Sequence, residues 1–321
     1  MDLADAGLIA VAVAFVIANG ANDGAALMST ALGITTRPWA GLAALLLALV
    51  AVPLLLGTAV ARTLAERLVG FGDDGGRLAL AGAVLAALAV VWVLTARGLP
   101  TSLTLGLVGG LSGSGFGAQL PVSWDLLGWV LLLGALAPLV GAVLAYGVST
   151  GLGRIPLGEH ASRRVHRAHQ GAYLLQCLAY GLNDGQKMLA VAAIAGGTTV
   201  GVAAGAGWPL VLIAAAFAIG TLARLRRVGA TIGGALVPLR PLRAAVAGGA
   251  SAVAVIGTGV VGAPVSMTQS IAGGLVGSGL ASSPSRVRWR EAARIAGAWL
   301  FTLPAAFAVA AALALAARWV A

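Results

Sequence analysis

Eight stretches of this 321-residue chain are apolar over about 20 residues, the length a helix needs to cross the hydrocarbon core of a bilayer. They lie near 7–35, 40–61, 78–97, 126–150, 171–197, 208–223, 243–262 and 291–317. Hydrophobic residues make up 60% of the chain and charged residues 9%, with a mean hydropathy of +0.98. An ordinary soluble domain carries charges at about a quarter of its positions. The chain therefore reads as an all-α polytopic membrane protein with no room for a soluble domain. Its first residues carry Asp2 and Asp5 but no basic residue, so the first apolar run is expected to stay rather than be cleaved as a signal. The single cysteine, Cys177, excludes an intramolecular disulfide and a cysteine-cluster metal site.

Two further segments, 99–118 and 264–280, are apolar but rich in Gly, Ser and Thr, and they repeat each other at an offset of 164. Pro100-Thr101-Ser102-Leu103-Thr104 matches Pro264-Val265-Ser266-Met267-Thr268, and residues 100–115 share nine identities in sixteen with their counterparts. A second repeat is shorter. Ala18-Asn19-Gly20-Ala21-Asn22-Asp23-Gly24 returns as Ala179-Tyr180-Gly181-Leu182-Asn183-Asp184-Gly185, five of seven positions identical. Pro138 and Pro304 correspond at an offset of 166. The chain is thus an internal duplication, with a first membrane repeat over 1–150, a polar linker over 151–170 and a second repeat over 171–321.

The formal charge of +10 does not imply nucleic acid, because the basic residues sit in short connections between apolar runs. With five crossings per half and the N-terminus outside, fifteen arginines fall inside and four (Arg62, Arg67, Arg77 and Arg318) outside, the positive-inside pattern. An odd number of crossings turns the second half over, so the two repeats are expected to be inverted, with both termini outside the cell membrane. His160, His166 and His169 in the linker read as part of a solvated cytoplasmic loop rather than a metal site. Trp39, Trp124, Trp208, Trp289 and Trp319 lie near span ends, where the ring suits the interface.

Away from loops and termini, the ionisable residues reduce to Asp23, Asp184 and Lys187, and Lys187 is the sole lysine. A carboxylate at mid-bilayer depth costs about 2.5–3.5 kcal/mol on insertion scales. A cost incurred twice in one repeated frame suggests one site built by both halves. Asn22-Asp23-Gly24 and Asn183-Asp184-Gly185 are turn- and cap-forming residues within helical runs, so broken or re-entrant helices are expected near the midplane. Such breaks are tolerated where they line a protein-enclosed cavity, and paired breaks in inverted repeats form the sites of many secondary transporters. Ser102, Thr104, Ser266 and Thr268 follow prolines that stop any preceding helix, where hydroxyls and free N–H groups can hold an oxyanion. Structural readings stand beside these: the aspartates as caps, the hydroxyls as helix-packing bonds. The Gly-rich run 109–117 lacks the strand and lysine of a nucleotide loop and suits close helix packing.

Asn183-Asp184-Gly185-Gln186-Lys187-Met188 resembles the N-D-A-Q-K signature of the inorganic phosphate transporter family (Pit type). Asn19-Gly20 through Asn22-Asp23 resembles its first-half copy, Pro100–Thr104 and Pro264–Thr268 its P-V-S-T-T-H segments, and Trp299 to Pro304 its last helix. The resemblance implies a dimeric secondary transporter, not an enzyme, that moves inorganic phosphate with Na⁺ or H⁺ as the coupling ion and needs no cofactor. It implies a site of Asn22, Asp23, Ser102, Thr104, Asn183, Asp184, Ser266 and Thr268, with Gln186 and Lys187 adjacent; in such a symporter Lys187 would meet the anion's charge, and Asp23 and Asp184 would bind Na⁺ or exchange H⁺. Departures occur at Ala26, where the family often has Asn, at Leu103 and Met267 in place of Thr, and at Leu105 and Gln269 in place of His. Sulfate, carried by relatives of the same fold, is the alternative cargo. From other classes, an intramembrane aspartyl protease would use the two aspartates as a proton-sharing pair, and a passive channel would show no gradient-driven accumulation.

Overall fold

The computed structural model of the chain describes residues 3–32, 38–71, 74–97, 99, 101–153, 161–228 and 241–320. Pro100 and, in the linker, Arg154, Glu159 and His160 lie outside the described residues. Among those described the structure is helical apart from loops and one isolated bridge between Val69 and Val122. The first half contains α1 (Leu3–Asn19), α2 (Ala25–Leu32), α3 (Pro38–Leu55), α4 (Ala59–Arg62), α5 (Asp74–Ala96), α6 (Leu103–Gly117) and α7 (Trp124–Leu152). The second contains α8 (Ala161–Tyr180), α9 (Gln186–Ala195), α10 (Val200–Ala206), α11 (Trp208–Val228), α12 (Pro241–Val260), α13 (Met267–Leu280) and α14 (Trp289–Val320). Among the described residues seven helices are long and apolar enough to cross a membrane, and an eighth span arises if the pair Ser162–Ala195 and Val200–Ala206, bent by 104°, counts as one. These spans match the eight apolar runs one for one. The second part of the polar linker differs from a loop: residues 161–170 are the first turns of α8.

The Gly/Ser-rich segments are single helices entered from extended backbone at Ser102 and Ser266, not hairpins. At about 1.5 Å per residue, their 15 and 14 residues reach roughly 22 Å, short of the bilayer core. Their glycines explain where they lie. Gly109, Gly113 and Gly117 recur every four residues on one face of α6, and a Cβ there would stand 2.4, 2.2 and 2.4 Å from the carbonyl oxygens of Leu303, Phe307 and Ala311 on α14. In the other half, Gly273 and Gly277 of α13 meet the Pro138 and Ala142 carbonyls of α7, each at 2.0 Å from such a Cβ. Gly110 abuts the Ala83 carbonyl and Gly274 the Ala247 carbonyl, positions again 164 apart. Each half therefore packs its glycine helix against the long final helix of the other, as small residues allow where lipid supplies no hydrophobic drive.

The inversion is visible at one end of the molecule. Arg77, at the start of α5, donates to Asp5 near the start of α1 (2.7 Å) and to the Ala195 carbonyl at the end of α9 (2.9 Å). The equivalent helices α1–α2 and α8–α9 consequently run in opposite directions from that end. Nearby, Glu66 accepts from the Val200 amide at 3.1 Å.

Candidate functional site

The two Asn-Asp-Gly frames do not break their helices. Gly20–Gly24 joins α1 to α2, and Gly181–Gly185 joins α8 to α9, each as a single π-helical turn. A π turn widens the helix by one residue and re-aims the side chains that follow, a feature frequent at functional sites. Glycine makes the wide turn fit. A Cβ at Gly20 would stand 2.1 Å from the Phe217 carbonyl of α11, and one at Gly181 would stand 2.6 Å from the Ala48 carbonyl of α3. Each turn thus rests on a helix of the opposite half. The helical backbone is interrupted instead at the extended entries to α6 and α13 and at the 104° bend between α9 and α10.

These elements converge on Lys187, which is 2% exposed, beside Asp184, 1% exposed. The Lys187 ammonium donates to Asp184 Oδ1 at 2.8 Å, to Thr104 Oγ1 at 2.6 Å and to the Val265 carbonyl. Thr104 is the second residue of α6, so a first-half hydroxyl completes a second-half ion pair. Its own proton is directed at the Val265 carbonyl, 3.4 Å away. Asn183 holds that carbonyl in place: its amide donates to the Ala263 carbonyl and its oxygen accepts from the Val265 amide, both at 3.0 Å. The extended entry to α13 is thereby stitched to the π turn. Asp184 Oδ2 is buried without a hydrogen-bond partner among the described residues.

The first-half aspartate is arranged differently. Asp23, also buried, accepts from the side chain of Asn22 at 2.9 Å and lies within electrostatic reach of both Asp184 and Lys187. Ser102 and Ser266 cap α6 and α13, accepting from the Leu105 and Gln269 amides at 3.3 and 3.4 Å. Ser266 also shares a 2.9 Å hydrogen bond with Thr268. Gln186 points elsewhere. Its oxygen accepts from the Val60 and Ala61 amides at 2.8 and 3.2 Å and its amide donates to the Gly57 carbonyl, so it secures the start of α4.

Tyr180 lies near these groups without standing out in the sequence. Its hydroxyl is fully buried with no hydrogen-bond partner among the described residues, and it feels the charges of both aspartates. The signal was its place in the duplicated frame, where the first copy has Asn19. Among the described residues no three His, Cys, Asp or Glu side chains gather as a metal site would require. A cavity of about 730 Å³ reaches Asn22, lined also by Trp92, Thr95, Leu103 and Arg224.

Fold and site together define a polytopic membrane protein of inverted repeats, with a buried charged cluster at the seam between the halves, the construction of a secondary transporter. The chain belongs to the phosphate transporter family, whose profile matches residues 19–176 and 158–310. A probable low-affinity inorganic phosphate transporter of Rhizobium meliloti is 31% identical over 315 residues, covering 94% of this chain and 92% of the relative. A protein of the same description from Mycobacterium tuberculosis is 30% identical, over 93% of this chain and 74% of its own length. A solved structure of a sodium-dependent phosphate transporter shares the fold, with a TM-score of 0.79 over the whole of both chains at 19% identity. This is a transporter family and not one of enzymes. The protease reading also fails on geometry, because Asp184 is paired with an ammonium instead of sharing a proton with Asp23.

Proposed function

We propose that the chain carries inorganic phosphate across the cell membrane by symport with Na⁺ or H⁺, through a midplane site shared by both repeats. The observation that carries this reading is the bond from Lys187 to Thr104, which unites the halves around a buried carboxylate. Relatives described as low-affinity inorganic phosphate transporters support the cargo. The charges support coupling: Asp23, Asp184 and Lys187 sum to one net negative charge, so an entering phosphate must bring cations or protons with it. The oxyanion is received by free N–H groups and hydroxyls at the starts of α6 and α13, which carry Ser102 and Thr104 and Ser266 and Thr268, since helix N-termini favour anions. Asp23 and Asp184, with Asn22 and Asn183 beside them, form the cation side of the site: Asp184 is already paired with Lys187, and Asp23 is open to the coupling ion. Both termini face outward, the arginine-rich connections face the cytoplasm, and two copies associate in the membrane as the family resemblance implies.

Uptake of labelled phosphate into proteoliposomes, with Na⁺ and H⁺ gradients imposed separately, tests the reading. Accumulation above equilibrium is expected with one gradient, and Asp184→Asn should abolish it. Unchanged gradient-driven uptake by that variant overturns the assignment of the site. Labelled sulfate accumulating in preference to phosphate overturns the cargo.

A further inference from the structure

The Lys187 ammonium has three N–H donors, and the structure accounts for all three on protein oxygens: a carboxylate, a hydroxyl and a backbone carbonyl. No donor remains for an anion. A carboxylate, a hydroxyl and a carbonyl instead make the oxygen set that a hard monovalent cation takes, and a lysine ammonium is a compact point charge of the same sign. The geometry points to Lys187 as a tethered cation, occupying permanently a place that a free Na⁺ would otherwise take against Asp184, and not as the anion's ligand.

The duplication sharpens this. Lys187 stands three residues after Asp184, and the position three after Asp23 is Ala26. The first-half carboxylate has no such built-in partner and still calls for a mobile cation or proton. The second-half carboxylate is neutralised by the chain itself. Asp184 also keeps Oδ2 buried and without a partner among the described residues, a further oxygen for an ion replacing the ammonium. The inference deepens the coupled-transport reading and rests on it for its meaning in transport: this chain couples through one fewer free cation than a site lacking the lysine.

The test counts bound Na⁺ without phosphate. Radioactive Na⁺ binding is measured on purified wild-type protein, Lys187→Met and Lys187→Met with Thr104→Val, at one pH. The single variant should bind one more Na⁺ per chain than wild type, and Thr104→Val should remove that gain by deleting one of its oxygens. Melting temperature in NaCl against choline chloride is the second readout. Na⁺ should raise it more in Lys187→Met and in Lys187→Ala than in wild type. Lysine variants that bind no additional Na⁺, or that are equally unstable in both salts, overturn the proposal. Phosphate uptake by wild type is scored separately, so failure of the phosphate reading leaves the Na⁺ count interpretable.

Discussion

At the scale of single residues, Asn183 does more than accompany its aspartate. It bonds the backbone on both sides of Pro264, through the Ala263 carbonyl and the Val265 amide, and so sets the carbonyl that receives Lys187. Asn183→Ala leaves a buried carbonyl and a buried amide without partners, at about 1–3 kcal/mol each. The expected outcome is a lowered melting temperature together with loss of phosphate uptake. Asn22→Ala should be milder in stability, because its amide serves the adjacent Asp23 rather than a distant segment. Thermal denaturation of the two variants side by side checks the difference. Lys187→Met should destabilise the protein in the absence of Na⁺, since removing one member of a buried ion pair costs about 3–5 kcal/mol. The importance of Asp23, Asp184 and Lys187 was legible in the sequence, because ionisable groups stand out in apolar runs. The exact partners of Lys187 were not, since one of them is a backbone carbonyl, which any residue type could supply. Gln186 was legible as a neighbour of the site and illegible as a brace for α4, because its contacts lie more than a hundred residues away.

At the scale of elements, the glycines of α6 and α13 set how closely the halves approach. A Cβ at Gly277 would meet the Ala142 carbonyl at 2.0 Å, backbone against which no side-chain rotation can make room. Gly277→Ala should therefore push α13 off α7 and lower stability by about 1–3 kcal/mol, the usual cost of overpacking. Beyond its own helix backbone, Gly134 of α7 has no described atom within 4 Å of such a Cβ. Gly134→Ala is expected to be neutral or slightly stabilising, as helix propensity favours alanine by about 0.5–1 kcal/mol. Melting temperatures of the purified variants decide between them; equal losses would refute the packing account. The 164-residue offset was readable from local identity, but its structural meaning was not. Two similar helices could pack within their own halves, and it is the carbonyls of Phe307 and Ala142 that show the exchange. Likewise, Asn-Asp-Gly reads as a helix break by propensity. Contact of the flanking glycines with α3 and α11 keeps the chain helical, so propensity yields to packing and the turn becomes a π turn.

At the scale of the whole molecule, the two ends of the bundle differ. One end is tied by Arg77, which links α5 to Asp5 of the first half and to the Ala195 carbonyl of the second. Toward Arg224 and Thr95, a cavity instead reaches Asn22 beside the buried aspartate. Alternating access between inverted repeats requires one half to rock against the other, so that one end closes as the opposite end parts. The Arg77 contacts join both halves and must break in that motion. Ala21 lines the cavity, and the native Cys177 is buried, so a single engineered thiol can report access. In a Cys177→Ser background, Ala21→Cys should react with a membrane-impermeant thiol reagent from the Arg224 side and slowly from the Arg77 side. Adding Arg77→Ala removes the tie and should raise the rate from the Arg77 side while lowering it from the Arg224 side. The opposed change in the two rates is the diagnostic feature: a local loosening at Arg77 would raise one without lowering the other, whereas rocking of the halves couples them.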